Sequence, residues 1–405
     1  MTTDQLPPPE EFTVPGFKAG ALAAGFRYKA RPDLALILSE VSATAAGVFT
    51  TNKAQAAPIL LSRSHLTGNK ARAIVVNSGI ANACTGEPGL QAAKSTARLA
   101  AQAIGCPVDE VLLASTGVIG MDLPVEPMVD HLPKLVSLVR DNGWLDAARA
   151  IMTTDTVPKI HMVKGQLQNR PFTVLGIAKG AGMIYPDMAT LLSFVATDVA
   201  ISPEALQNLV REETERSFNR ITVDGDTSTN DTLFVLANGR AGNGPIKDLG
   251  SSDGQGLRRA LGEVLLNLAK KIVSDGEGAT KFVAITVKGG SSGAAALKGA
   301  RTVANSALVK TALFGEDGNW GRILAALGRA DIDFDPQRVQ LYFNGVKLVE
   351  NGLALGQEAE REVSNILKEP SFSITIDLGQ GKAEETVYTC DLSLDYVKIN
   401  ADYRS

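Results

Sequence analysis

The tract that most constrains this chain is a glycine-rich turn that runs into an apolar segment: Lys179-Gly-Ala-Gly-Met-Ile-Tyr-Pro-Asp-Met-Ala-Thr190, then Leu191-Leu-Ser-Phe-Val-Ala-Thr197. The second piece has the length and composition of a buried strand, so the fold is built around it and Thr190 falls at its first position. Were the Ala189-Thr190 bond cut, Thr190 would become an N-terminus carrying both a nucleophilic hydroxyl and a free α-amine, one known way of activating a nucleophile. An α-amine has a reference pKa of about 7.7–8.0 against about 10.4 for lysine, so roughly a tenth of it is neutral at pH 7. The same residues also describe a threonine that opens an ordinary strand after a glycine turn.

Composition narrows the setting. With 405 residues, 44% hydrophobic and 21% charged, the chain is long enough for two or three cores and has the balance of a soluble globular protein. The segment Met1 to Phe12 is acidic and proline-rich, without the arginines of a transit peptide or the apolar core of a signal sequence. No apolar run approaches a membrane span. A net charge of −4 with scattered basic residues argues against nucleic-acid binding and leaves small polar substrates open. Cys84, Cys106 and Cys390 are far apart with no CxxC pair, which points to neither a zinc site nor a disulfide framework and suits a reducing cytoplasm. His65, His131 and His161 carry no metal or triad motif.

The pattern along the chain alternates short apolar strands with amphipathic helices. Strands are expected at 71–77 and 110–115, helices at 90–104 and 125–142, and a hairpin about Gln166–Pro171. Beyond the glycine turn, a helix over 203–218 opens on the N-cap candidate Ser202. Further helices are expected at 256–273, 294–314 and 358–367, with strands at 281–288, 338–343, 372–378 and 387–399. This mixture, with antiparallel-looking pieces, predicts an α/β or α+β layered fold over a doubly wound sheet.

Four places could carry chemistry. The first is Ala189-Thr190. In Ser115-Thr-Gly117 a strand ends where a backbone N–H beside a threonine hydroxyl can serve a developing oxyanion. Lys179 precedes its glycines, which excludes a phosphate loop by spacing and leaves a cation suited to a substrate carboxylate. Ser274-Asp-Gly-Glu-Gly-Ala-Thr-Lys281 places acids on a glycine turn, suited to an ammonium group or simply to ending a helix. The polar cluster Asp224–Thr232 lacks calcium-loop spacing and reads either as a solvated or internally hydrogen-bonded loop or as support for a site, and the tail from Val397 also fits a frayed terminus.

Taken together, these motifs resemble the ornithine acetyltransferase (glutamate N-acetyltransferase) family over nearly the whole chain. The resemblance runs through Val14-Pro-Gly-Phe-Lys-Ala19, Phe49-Thr-Thr-Asn-Lys53, Val76-Asn-Ser-Gly79, Asn82-Ala-Cys-Thr-Gly86, Ser115-Thr-Gly117 and Met152-Thr-Thr-Asp-Thr-Val-Pro-Lys159. It continues through Lys179–Thr190, Ser228-Thr-Asn-Asp-Thr232, Asp275-Gly-Glu-Gly-Ala-Thr-Lys281, Asn319-Trp-Gly-Arg322 and Ile399-Asn-Ala-Asp-Tyr403. Ile80 stands where the family usually has Asn, and Ser405 replaces a commoner terminal Thr.

The resemblance implies a layered αββα sandwich and self-cleavage at Ala189-Thr190 into an α chain (1–189) and a β chain (190–405), two of each forming a heterotetramer. It implies that Thr190 is the nucleophile, that Thr116 and Gly117 form the oxyanion hole, and that Thr153, Lys179, Thr190, Glu277, Asn400 and Ser405 bind substrate. The implied reaction carries acetyl from N2-acetylornithine to L-glutamate, with no cofactor and no metal, and leaves acetyl-CoA open as a second donor. A hydrolase of similar layered fold, with water as acceptor, and a non-catalytic ligand-binding protein are the alternative readings.

Overall fold

The computed structural model describes residues 8, 11–27, 30–185 and 191–402, so Ala189, Thr190 and Ser405 lie outside the described residues. The chain divides into two compact units, one of residues 4–219 and 226–272 and the other of residues 220–225 and 273–405.

The larger unit begins with β1 (Phe17–Leu22), antiparallel to the long β2 (Leu34–Phe49). After α1 (Ala57–His65), β3 (Lys70–Ile80) returns antiparallel to the first half of β2. The helix α2 (Gly86–Ile104) then crosses over to β4 (Val111–Val118), parallel to β3, as a parallel pair requires. There follow α3 (Glu126–Leu138), α4 (Trp144–Ala150), and the hairpin of β5 (Lys159–Leu167) and β6 (Arg170–Lys179). Its two-residue turn, Gln168-Asn169, has positive φ at both positions, as in a type I′ turn. The unit closes with β7 (Leu192–Thr197), α5 (Pro203–Glu215), β8 (Thr232–Ala237) and α6 (Ser252–Ser274), most of which belongs to this unit. The strand order is β4-β3-β2-β8-β7-β6-β5, with β1 also on β2.

This one hydrogen-bonded sheet makes two layers because β2 changes partners along its length. Leu34–Leu38 pair with β3, the register shifts between Leu38 and Ala43, Ala43 and Thr44 pair with the start of β3, and Thr44–Phe49 pair with β8. A single core then joins Ile37, Ile74, Val76 and Leu112 from the first half to Ala45, Ile177, Phe194, Phe234 and Leu236 from the second, so the two halves face each other. The intervening residues point outward on both sides. Leu36, Val75 and Leu113 pack under the alanine-rich face of α2 and under α1 and α3. On the far side Gly176 lets Val264 and Leu268 of α6 approach β6, where a Cβ would lie 2.8 Å from both. The result is the αββα sandwich implied above. β7 runs at its centre, bonded to β6 on one edge and β8 on the other, and all six of its residues are buried.

The smaller unit contains β9 (Phe282–Gly290), α7 (Gly293–Ala304), α8 (Ala307–Phe314), α9 (Trp320–Gly328), β10 (Gln340–Phe343), β11 (Val346–Glu350), β12 (Leu353–Ala354), α10 (Gln357–Ile366), β13 (Ser371–Asp377), β14 (Ala383–Cys390) and α11 (Leu394–Ala401). Its sheet order is β12-β11-β10-β13-β9-β14, with β13 parallel to β9. The alternation in β9 buries Val283, Ile285 and Val287 against the helices.

Three expected elements end early for physical reasons. The expected helix over 125–142 stops at Leu138, where Arg140 exchanges both backbone hydrogen bonds with Ala19. The expected helix over 294–314 is two, because the Ser306 hydroxyl caps a new start by accepting from the Val309 N–H. The expected strand over 387–399 leaves the sheet after Cys390, and Ser393 caps the helix α11 by accepting from the Asp395 and Tyr396 N–H groups. The tail through Ala401 is therefore helical and not frayed. Among the described residues no helix is long and apolar enough to cross a membrane.

At Gly143, the residue before α4, a Cβ would lie 1.9 Å from the Ala19 carbonyl oxygen and 2.7 Å from its carbon, both backbone atoms that cannot swing away. Gly143→Ala is expected to destabilise the larger unit by about 1–3 kcal/mol, read as a lower urea midpoint at unchanged slope.

Candidate functional site

The centre of the larger unit's site is a lysine in the core. Lys179 ends β6, is 5% exposed, and its ammonium donates to the Thr116 hydroxyl at 3.1 Å and to the Thr153 hydroxyl at 2.9 Å. Two expected substrate-binding residues and one expected oxyanion residue, from three separate motifs, thus meet at one cation.

A buried ammonium needs compensating charge. Asp155 supplies it. One of its carboxylate oxygens accepts from the Lys159 ammonium and the Gly180 N–H, each at 2.7 Å, and the other accepts from the Thr153 N–H at 3.0 Å. Burial pushes this carboxyl up, but the Lys159 and Lys179 charges and the hydrogen bonds from Lys159 and Gly180 outweigh it and hold it far below the usual carboxylate range. The Arg31 guanidinium donates to the Met152 and Thr153 carbonyls from the other side of the loop. Thr153 is thus held at its N–H, its carbonyl and its hydroxyl.

Thr116 and Gly117 lie near the end of β4 where it runs beside β3. Gly117 has φ +134°, and a Cβ there would come within 2.1 Å of the Gly79 carbonyl carbon, so the position accepts no side chain. The strand is pinned from two directions. Ser115 donates its hydroxyl to the Asn77 side chain at 2.6 Å, and the Asn230 amide donates to the Ser115 carbonyl at 2.8 Å and the Ala81 carbonyl at 2.7 Å. The polar cluster around Asn230 therefore fixes the end of β4 that carries Thr116 and Gly117 instead of being a solvated loop. Just before β7, the Leu191 N–H donates to the Asp231 carboxylate at 2.9 Å.

The smaller unit holds the other candidates. Glu277 is 8% exposed and accepts from the Asn400 side-chain amide at 2.8 Å. Gly278 (φ +68°) lets its turn lie against the start of α11, where Ser393 donates to the Gly278 carbonyl at 2.6 Å. Asn400 lies on that same helix, which is why two residues 123 positions apart are neighbours. The expected nucleophile and cleavage site, Thr190 and Ala189, and the expected substrate-binding Ser405 lie outside the described residues.

Sequence reasoning assigned no role to Asp155, Lys159 or Arg31, and weighed Asn230 and Asp231 only as part of a polar cluster that either supports a site or forms a loop. Four of them sit in quoted motifs, but only three-dimensional proximity shows which charges pair.

The fold and site define a protein of the layered αββα class, with a buried cation that joins two hydroxyls beside a strand position only glycine fits. The ArgJ family model matches residues 18–405. The chain is similar to arginine biosynthesis bifunctional protein ArgJ of Geobacter sulfurreducens, 50% identical over 392 residues, 97% of this chain and all of that one. The Desulfotalea psychrophila protein of the same name is also 50% identical, over the same shares of both chains. Among solved structures, arginine biosynthesis bifunctional protein ArgJ from Bacillus halodurans is 37% identical, with a TM-score of 0.50, over 51% of this chain and 97% of that one. This chain belongs to the ArgJ family, and it is an acetyltransferase of arginine biosynthesis.

Because Asp155 titrates lower in the folded protein than the roughly 3.9 of an unfolded aspartate, its stabilising contribution is complete above that pH and is lost as pH falls through and below it. Asp155→Asn is expected to cost about 3–5 kcal/mol near pH 7 by leaving buried ammonium groups uncompensated. Urea melts at pH 7 and pH 3 should show the difference between wild type and variant shrinking at the lower pH.

Proposed function

We propose that this chain transfers the acetyl group of N2-acetylornithine to L-glutamate through an acetyl ester on Thr190, after cutting itself between Ala189 and Thr190. The observation that carries the reading is the Lys179 ammonium shared by the Thr116 and Thr153 hydroxyls, at the end of the strand that leads to that bond. The solved Bacillus halodurans relative adds support, since its chain aligns over nearly its whole length yet over only half of this one.

In the self-cleavage step the Thr190 hydroxyl attacks the Ala189 carbonyl carbon, the peptide C–N bond breaks, and the resulting ester is hydrolysed to leave chains 1–189 and 190–405. The two stay hydrogen-bonded within the larger unit, because β7 is bonded to β6 of the first chain and β8 of the second.

In the transfer reaction the Thr190 hydroxyl attacks the acetyl carbonyl of N2-acetylornithine while its own α-amine takes the proton. Thr116 and the Gly117 backbone face the oxyanion, and the Lys179 charge beside Thr116 favours the negative charge that develops there. The α-ammonium returns its proton to the leaving amine, and ornithine departs. The amine of glutamate then attacks the threonine ester and regenerates the hydroxyl. Both amino acids carry a carboxylate, which Lys179 and Thr153 are suited to hold. Glu277, with Asn400, suits the side-chain ammonium of ornithine, and Ser405 completes the binding set.

The reading requires no cofactor. The relatives are named bifunctional, and acetyl-CoA is the second donor this reading leaves open. Two copies of each chain in a cytoplasmic heterotetramer complete the proposal.

Thr190→Ala is expected to run as one full-length band on a denaturing gel and to form no acetylglutamate, whereas the wild type gives two bands and an N-terminal threonine on sequencing. Two bands from the variant would refute the assignment. Supplying glutamate with acetyl-CoA alone should yield acetylglutamate if the second donor is used. Free acetate in place of acetylglutamate would identify a hydrolase.

A further inference from the structure

We infer that Lys159 is a positioning residue for the substrate carboxylate: it occupies Asp155 and so keeps the Lys179 ammonium turned toward the Thr116 and Thr153 hydroxyls. The inference rests on the reading that Lys179 holds that carboxylate.

Lys159 is the first residue of β5 and Lys179 the last of β6, and the antiparallel register puts both at the same end of the hairpin. Asp155, in the loop that leads into β5, accepts from the Lys159 ammonium at 2.7 Å, and both side chains are fully buried. The Lys159 ammonium is steadied further by the Val157 carbonyl at 3.4 Å. The same Asp155 oxygen accepts from the N–H of Gly180, the residue after Lys179, and the other oxygen accepts from the Thr153 N–H. Thr153 also takes the Lys179 ammonium on its hydroxyl at 2.9 Å. One threonine therefore stands between the carboxylate and the second ammonium, a short step for a flexible lysine side chain.

Opposite charges this close in a buried site attract strongly. An Asp155 without Lys159 would draw the Lys179 ammonium into an ion pair, away from the hydroxyls. With Lys159 in place the carboxylate already has its partner. Burial raises the carboxyl, and the Lys159 charge, followed by that of Lys179, outweighs the burial and keeps it ionised. Asp155 thus offsets the Lys179 charge through space, while that ammonium donates to two hydroxyls. Hydroxyls are suited to a cation that must also take a ligand, because each can accept from the ammonium and turn its own hydrogen toward an incoming carboxylate. Stability does not account for an ion pair buried in this way, since apolar residues of similar volume commonly do as well.

Lys159→Met keeps the unbranched stem and removes the charge, so Asp155 should capture Lys179. The readout is a ratio: kcat/KM for N2-acetylornithine over kcat/KM for its carboxamide, two donors that differ only at the carboxylate. In Lys159→Met this ratio should fall about 10-fold, the loss of one well-aimed hydrogen bond between charged groups. The double variant Asp155→Asn, Lys159→Met removes the attracting carboxylate together with its partner and leaves the summed charge of the three groups unchanged. Its ratio should return toward the wild-type value. A merely structural role would instead lower kcat/KM for both donors alike and leave the double variant no better than the single one. An unchanged ratio in Lys159→Met, or a double variant as low as the single, would overturn the inference. Where Lys159→Met does not fold, the double variant decides: a ratio near wild type upholds the inference, and one as low as that of Lys179→Met overturns it. Lys179→Met itself should abolish the preference for the carboxylate. A preference that survives there would overturn the reading of Lys179, which keeps the two failures distinct.

Discussion

The partner change along β2 is the constraint on which the larger unit depends. Sixteen residues cannot continue flat through a twisted sheet, and the register break between Leu38 and Ala43 bends the strand shortly before it passes from β3 to β8 at Thr44. Each layer then lends one face to a common core and covers the other with helices. β7 occupies the middle of the second layer, and the described part of the site is assembled beside it from the ends of β4 and β6 and the residues before β8.

Within that scaffold the charges are arranged as a chain of dependence. Asp155 is held ionised by Lys159 and by Lys179, and Lys179 in turn holds the hydroxyls of Thr116 and Thr153. Removing water from this cluster strengthens every interaction in it and makes every unpaired member costly, which is what gives such a site its preorganisation. Asn230 does the same work with neutral groups by tying Ser115 and Ala81 to the start of β8. Asp231 beside it is fully buried and accepts from the Leu191 N–H, which ties the residue before β8 to the residue before β7.

Much of the fold was legible locally. The alternation of Lys281–Lys288, the apolar run after Thr190 and the Ser202 cap each encode their element within a few residues, and the structure has a strand, a strand and a helix there. The misreadings share a cause. Val387–Ile399 is apolar enough for one strand, but Ser393 offers its hydroxyl to the N–H groups that follow and starts a helix whose Leu394 and Val397 stay exposed. The break at Ser306 is of the same kind. Arg140 leaves its helix for a backbone pairing with Ala19, far away in sequence, which no local pattern contains.

By itself the sequence determined the membership of the chain in its family, the turn-and-strand signal at Ala189-Thr190, and the residue types able to serve as nucleophile, cation and acid. These are properties of covalent order, and motifs preserve them in order. Tertiary structure alone decided which of those residues meet: that Lys179 reaches Thr116 and Thr153, that Glu277 finds Asn400, and that Asp155 and Asp231 are carboxylates in the core and not on the surface. The reason is that charge pairing and desolvation depend on distance and burial, and both are set by strand order and register across hundreds of residues.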